Sequence, residues 1–214
     1  MKNLHLLLCS IFCLALVAKA SDLGGRVTDI PGFEDPKLLA RVMSGEIVLE
    51  EKVSTKTEFR SIVKAFFNKV SPDAYTKLAT NHPKYPSLFS EIKEAKTVSV
   101  STDQLNLDYW LHLKVPIGPF FYDAYPEGHH TIVSAPDAQS EAKLLNEVTN
   151  YKDQIKFAKQ TTRLIPYKTG ILVEDDIHFL LTKESAFSGT IKKKFKEFFT
   201  RFVSTMRKEL QGSY

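Results

Sequence analysis

Histidines and carboxylates are the residues of this chain whose types could carry chemistry. His112, His129, His130 and His178, together with Glu174, Asp175 and Asp176, have the side chains that bind metals. Their spacing matches no zinc pattern. Adjacent His129 and His130 point to opposite sides of a strand, and His112 and His178 fall on polar strand faces, so no metal and no cofactor is expected. The parts of a nucleophilic site are also missing, since no Gly-x-Ser-x-Gly elbow occurs and no Gly-rich phosphate loop precedes a helix. No catalytic residue is assigned. Asp175, Tyr122 and Tyr125 remain as groups able to offer a polar contact to a bound molecule.

Asp175 stands out because of its strand. The run from Ile171 to Leu181 alternates, and it places Ile171, Val173, Ile177, Phe179 and Leu181 on one face with Asp175 among them. A buried, unpaired carboxylate is costly. Asp175 therefore meets a cation or donor, lies at the rim of an interior, or sits beside a bulge that turns it outward. If it faces a ligand, a perturbed pKa is the expected sign.

Other elements must position these groups. The clearest alternation runs from Leu105 to Val115, where Leu105, Leu107, Tyr109, Leu111, Leu113 and Val115 share one face. Phe59 to Phe67 behaves similarly, with Phe59, Ser61, Val63, Ala65 and Phe67 together. Such strands form an antiparallel sheet with one apolar face that something must cover. The cover is a C-terminal helix. Ile191, Phe195, Phe198, Phe199, Phe202, Val203, Met206 and Leu210 recur at gaps of three and four, as one helix face requires. The opposite face carries seven basic residues (Lys192, Lys193, Lys194, Lys196, Arg201, Arg207, Lys208) against Glu197 and Glu209, a net +5. It is either an ordinary solvated face or a site of peripheral contact with an anionic membrane surface. Pro116 to Tyr125 is aromatic and punctuated by turn residues, and is read as the start of a middle strand. The segment from Ala138 to Lys168 is mixed and polar.

The N-terminus bounds the compartment. Lys2, an apolar run from Leu4 to Val17 and Ala18-Lys19-Ala20 read as a secretory signal peptide cleaved after Ala20. The run is shorter than the ~20 residues of a membrane span. Both cysteines, Cys9 and Cys13, fall inside it, so the mature chain holds no thiol and needs no disulfide. Losing Lys2 and Lys19 lowers the net charge from +4 to +2, which gives no reason to expect nucleic-acid binding. Residues 21–34 read as a flexible lead and 35–212 as one domain in a periplasmic or secreted protein.

Between these strands lies the most specific local order in the chain. In Ser71-Pro72-Asp73-Ala74-Tyr75, Ser71 is placed to cap a helix, Pro72 to occupy its first position and Asp73 to complement its positive end. Pro83 and Pro86 stop it, and a second short helical turn leads into the next strand. These residues, with His82-Pro83-Lys84-Tyr85-Pro86-Ser87-Leu88-Phe89 and the lead-in Leu38 to Val48, resemble the START-like (SRPBCC, helix-grip) superfamily, in particular its coenzyme-Q-binding and polyketide-cyclase-like branch and its exported bacterial members. The resemblance covers residues 38 to 115, weakens from Gly118 to Lys168, where the segment from Ala138 departs from the family's usual compact strand pattern, and returns as one strand and the long helix.

It implies an α+β fold, a curved antiparallel sheet wrapped around a long C-terminal helix. It also implies a cavity for a lipid, quinone or polyketide-like molecule. The expected lining is Leu107, Tyr109, Leu111, Tyr122, Phe179, Phe195 and Phe199, with Asp175 as its polar member. Two alternatives stand beside this carrier reading. One is a cyclase or dehydratase using the same cavity, and the other is an envelope interaction protein without a ligand.

Overall fold

The computed structural model describes residues 30–117, 120–133, 140–149, 155–182 and 188–212. The expected signal peptide and most of the lead fall outside them. The chain divides into two units, Met1–Arg41 and Val42–Tyr214. Within the first, Phe33 N–H closes a turn onto Ile30 O at 2.9 Å, and the Asp35 carboxylate accepts from Lys37 N–H at 2.9 Å. Asp35 thereby satisfies a free amide at the start of helix α1 (Pro36–Met43).

The second unit is built on one antiparallel sheet. Its strands are β1 (Val48–Ser54), β2 (Glu58–Asn68), β3 (Ile92–Val100), β4 (Asn106–Ile117), β5 (Phe120–Ala124), β6 (Glu127–Ile132), β7 (Ala142–Val148), β8 (Ile155–Tyr167) and β9 (Gly170–Leu181). The order across the curved sheet is β1-β2-β9-β8-β7-β6-β4-β3, with β5 paired to β4 off this path. Between β2 and β3 come α2 (Pro72–Ala79), a 3-10 turn (His82–Lys84) and α3 (Tyr85–Leu88). The chain ends in α4 (Ser188–Gly212), 25 residues long.

Local chemistry explains the punctuation. Ser71 Oγ accepts from Ala74 N–H at 3.1 Å and Pro72 opens α2, so the expected cap is present. Gly170 follows the β8–β9 turn where an added Cβ would lie 2.0 Å from Phe67 O, so only glycine lets β2 and β9 approach there. β3 and β4 pair with two register shifts, between Ile92 and Glu94 and between Thr97 and Ser99.

Two expectations are corrected. The described part of residues 138–168 keeps the strand pattern, because it consists mostly of β7 and the 13-residue β8. Polar side chains on their inward face had masked the alternation. The Pro116–Tyr125 stretch supplies β5, which among the described residues pairs only with β4 and so is a branch of the sheet, not a middle strand.

The inner face can be followed in rows of cross-strand partners. Phe59, Phe179, Ala158, Val148, Gly128 and Tyr109 form one row, and Val63, Asp175, Thr162, Leu144 and Ile132 another. Farther along lie Ala65, Val173, Leu164 and Ala142, each at most 1% exposed. Val203 and Met206 of α4, with Tyr75 and Leu78 of α2, close over this last part in one apolar cluster.

Candidate functional site

A band of polar side chains crosses the inner face between the apolar rows. Ser61, Ile177, Gln160, Asn146, His130 and Leu107 are successive partners on β2, β9, β8, β7, β6 and β4. Four of these six are polar. Tyr109 Oη donates to Asn146 Oδ1 at 2.7 Å, Asn146 Nδ2 to Gln160 Oε1 at 3.5 Å, and Gln160 Nε2 to Asp175 Oδ1 at 3.1 Å. Thr162 hydroxyl donates to the same carboxylate oxygen. The donors thus run one way across four strands and end on Asp175.

Asp175 is fully buried, and both of its strand pairings pass through it without a register shift. The expectation of a rim position or an outward-turning bulge is therefore overturned. The carboxylate points inward because β9 keeps strict alternation, and Thr162 and Gln160 are the donors that make this tolerable. Burial nevertheless exceeds these hydrogen bonds, and the neighbouring Glu174 charge adds to it, so the pKa rises to about 6. Asp175 Oδ2 has no hydrogen-bond partner among the described residues.

A second buried group closes the far end of the band. His82 Nε2 and His130 Nδ1 are 3.1 Å apart, and His82 Nδ1 is 3.2 Å from Thr97 Oγ1. Tyr109 stacks on His82 with ring centroids 4.5 Å apart. Burial pushes His82 down to about 4 and His130 to about 3, the latter helped by its histidine neighbours. Both rings are neutral near pH 7. One proton therefore occupies the contact between them, and if it comes from His130 then His82 Nδ1 donates to Thr97, whereas if it comes from His82 then Thr97 donates back. Gly128 is what admits the Tyr109 ring, since a Cβ there would lie 2.2 Å from Tyr109 Oη.

The expected lining residues separate into groups. Tyr109 and Asp175 belong to the polar band. Phe179 and Phe195 stack at 4.4 Å, with Phe59 5.1 Å beyond Phe179 and Phe199 5.9 Å beyond Phe195. Leu111 packs with Phe202 against Tyr85, Phe89 and Ile92. Leu107 is half-buried opposite His130. The Tyr122 side chain lies outside the described residues. Sequence reading did not assign His82, Asn146, Gln160, Thr162 or Ser61 to the site. The available signal was phase, because Asn146 continues the inward positions of Ala142 and Leu144.

The helix stripe is covered unevenly. Val203 and Met206 are at most 1% exposed, while Phe195, Phe198, Phe199 and Phe202 are only half-buried. The basic face is held by ion pairs to the rest of the fold. Lys196 pairs with Glu51 and Arg201 with Glu91, while Glu209 pairs with Lys84. His112, His129 and His178 turn outward to Asp123, Asp108 and Glu58. A separate cleft of about 410 Å³ opens at the last turns of α4, lined by Gly45, Phe66, Asn68, Thr169, Arg207 and Gln211 among others. None of the expected lining residues borders it.

The sequence matches no protein-family model, and comparison with curated proteins finds no match either. Solved structures do match the fold. A STAR-related lipid transfer protein from Xanthomonas axonopodis is similar with a TM-score of 0.54 at 12% identity, over 76% of this chain and 98% of that one. A START superfamily protein from Mycobacterium smegmatis gives 0.54 at 12%, over 74% and 99%. The Zhui aromatase/cyclase from a Streptomyces species gives 0.53 at 8%, over 78% and 94%. The chain has the START-like helix-grip fold.

Proposed function

We propose that this protein binds a hydrophobic small molecule, of lipid, quinone or polyketide-like kind, between the inner sheet face and α4. The uneven cover of α4 is the observation that supports this reading most. Val203 and Met206 are fully buried, yet four phenylalanines of the same stripe are only partly buried, Phe195 beside the fully buried Phe59 and Phe179. Apolar ligand area placed there gains about 25 cal/mol per Å², offset by the cost of holding the ligand. A lipid transfer protein and an aromatase/cyclase among the structural neighbours are in keeping with such a role. Leu107, Tyr109, Leu111, Tyr122, Phe179, Phe195 and Phe199 are the proposed lining, with Asp175 as its polar end.

The proposal includes export, with a signal peptide removed after Ala20, and delivery at a membrane surface touched by the exposed Lys193 and Lys208 of α4. Native mass spectrometry of the chain purified from its own host tests the central claim. A recurrent copurifying hydrophobic molecule is the expected result. A chain that comes out empty and takes up no hydrophobic probe overturns the carrier reading and leaves the ligand-free interaction protein.

One observation favours a second reading, an enzyme of the cyclase or dehydratase kind. Asp175 is buried with its pKa raised to about 6, as a general acid or base near neutral pH requires. Turnover of a ligand identified by mass spectrometry, abolished in Asp175→Asn, would decide for it. An unchanged ligand recovered after incubation would decide against it.

A further inference from the structure

Among the described residues, buried atoms of Thr76 and Arg207 have no hydrogen-bond partner, and neither do three buried oxygens, Asp175 Oδ2, Tyr75 Oη and Ser61 Oγ. Their residues are 0%, 1% and 1% exposed. They come from β9, α2 and β2. Ser61 is a diagonal neighbour of Asp175, because Val63 is the direct partner of Asp175 and Ser61 that of Ile177. Tyr75 belongs to the same apolar cluster as Val63, Val173 and Ile177, which flank Asp175 on β2 and β9. Burial, with the Asp175 charge adding to it, holds the Tyr75 phenol protonated.

Unmet polar groups are costly to bury, and natural folds leave few of them. The free oxygen of one carboxylate with two hydroxyls beside it, in the interior that the carrier reading assigns to a ligand, describes what a ligand group placed there would bring. Asp175 Oδ2 needs a donor. Tyr75 is a protonated phenol and needs an acceptor. An ammonium supplies the donor but has no lone pair for Tyr75. A ketone supplies the acceptor and nothing for Asp175. A carboxylate is repelled by the Asp175 charge. A hydroxyl supplies both at once.

We infer that the hydrophobic ligand carries an alcohol or phenol hydroxyl, and that this group donates to Asp175 Oδ2 while accepting from Tyr75 Oη. The hydroxyl of Ser61 rotates to give a further contact. The inference rests on the carrier reading and narrows it to neutral hydroxylated amphiphiles.

Four ten-carbon probes test it on the full chain at pH 8, namely 1-decanol, 2-decanone, decylamine and decanoate, with thermal shift and native mass spectrometry as readouts. Decanol is expected to bind at least tenfold more tightly than each of the others. Asp175→Asn removes a buried charge and keeps an oxygen for Thr162 and Gln160, so it folds. Its amide donates where the carboxylate accepted, and the preference should pass from decanol to decanone. Tyr75→Phe removes a hydroxyl that has no partner and should weaken decanol and decanone together by about fivefold. If no probe binds, the carrier reading fails and this inference with it. If all four bind alike and neither substitution changes their ranking, the carrier stands and the hydroxyl clamp is wrong.

Discussion

The two ends of the interface between α4 and the sheet are built from the same kinds of residue and behave differently. At one end Val203 and Met206 meet Phe67, Ile171, Val173 and Leu164, all at most 1% exposed. At the other, Phe195 stacks on Phe179 with Phe199 5.9 Å beyond it, and both stay half-buried. Between them the polar band interrupts the apolar face. The sealed end holds the helix down, which allows the other end to remain incompletely covered. Stability and binding capacity are thus allotted to different turns of one helix.

Truncation at the sealed end should give the largest effect. Phe67→Ala deletes a fully buried ring that meets Tyr75 edge-on at 5.3 Å, and is expected to cost about 3–5 kcal/mol in urea unfolding. A loss below about 1 kcal/mol would break the distinction between the two ends.

The polar band should respond to pH in two opposed ways. His82 has a folded pKa of about 4 against 6.5 ordinarily, so it contributes stability that is complete above pH 6.5 and lost as pH falls towards 4. The ceiling is about 3 kcal/mol, and His82→Gln should lower that limb of the stability profile to the part that His130, held at about 3, still contributes. Asp175 has a folded pKa of about 6 against 3.8 ordinarily, so its contribution is complete below pH 3.8 and lost as pH rises to 6. That loss also has a ceiling of about 3 kcal/mol, and Asp175→Asn should remove it and raise stability at pH 8. Equilibrium unfolding from pH 4 to 8 separates the limbs, because each variant should alter one and leave the other. If both variants flatten the same limb, the two groups titrate as one unit and the band cannot be divided.

The open end should be the most tolerant. Phe195→Ala is expected to cost about 1–2 kcal/mol, since the ring is only partly buried, while weakening any hydrophobic ligand more than Phe67→Ala does. Ligand retention measured beside unfolding would sharpen the contrast, and a cost equal to that of Phe67→Ala would abolish it.

Local periodicity made much of this visible in the sequence. The inward faces of β2, β4 and β9, the stripe of α4 and the Ser71-Pro72 cap each follow from residues within one element. The partners across the sheet did not. Nothing near Phe59 announces Phe179, and nothing near Tyr109 announces Asn146, because register between distant strands is set by the whole fold. The site was hardest to read where it departs from an ordinary core. Asn146, Gln160 and Thr162 occupy inward positions with polar side chains, so β7 and β8 looked like an irregular segment. His82 was legible only as part of a proline-rich turn, and its burial depends on the Tyr109 ring stacked over it. Asp175 was noticed because it alone broke a clean apolar face.

The pairing of β3 has a consequence for how the protein behaves in company. β3 ends the strand order, and its outer edge faces no other described strand. An unpaired edge offers its amides and carbonyls to a second molecule. The two register shifts and the exposed Lys93, Glu94 and Lys96 spoil that template along most of its length, but Val98 and Val100 near the hairpin tip are 61% and 52% exposed. Those two valines mark where self-association would begin as concentration rises, and a lysine at either is the change that would postpone it.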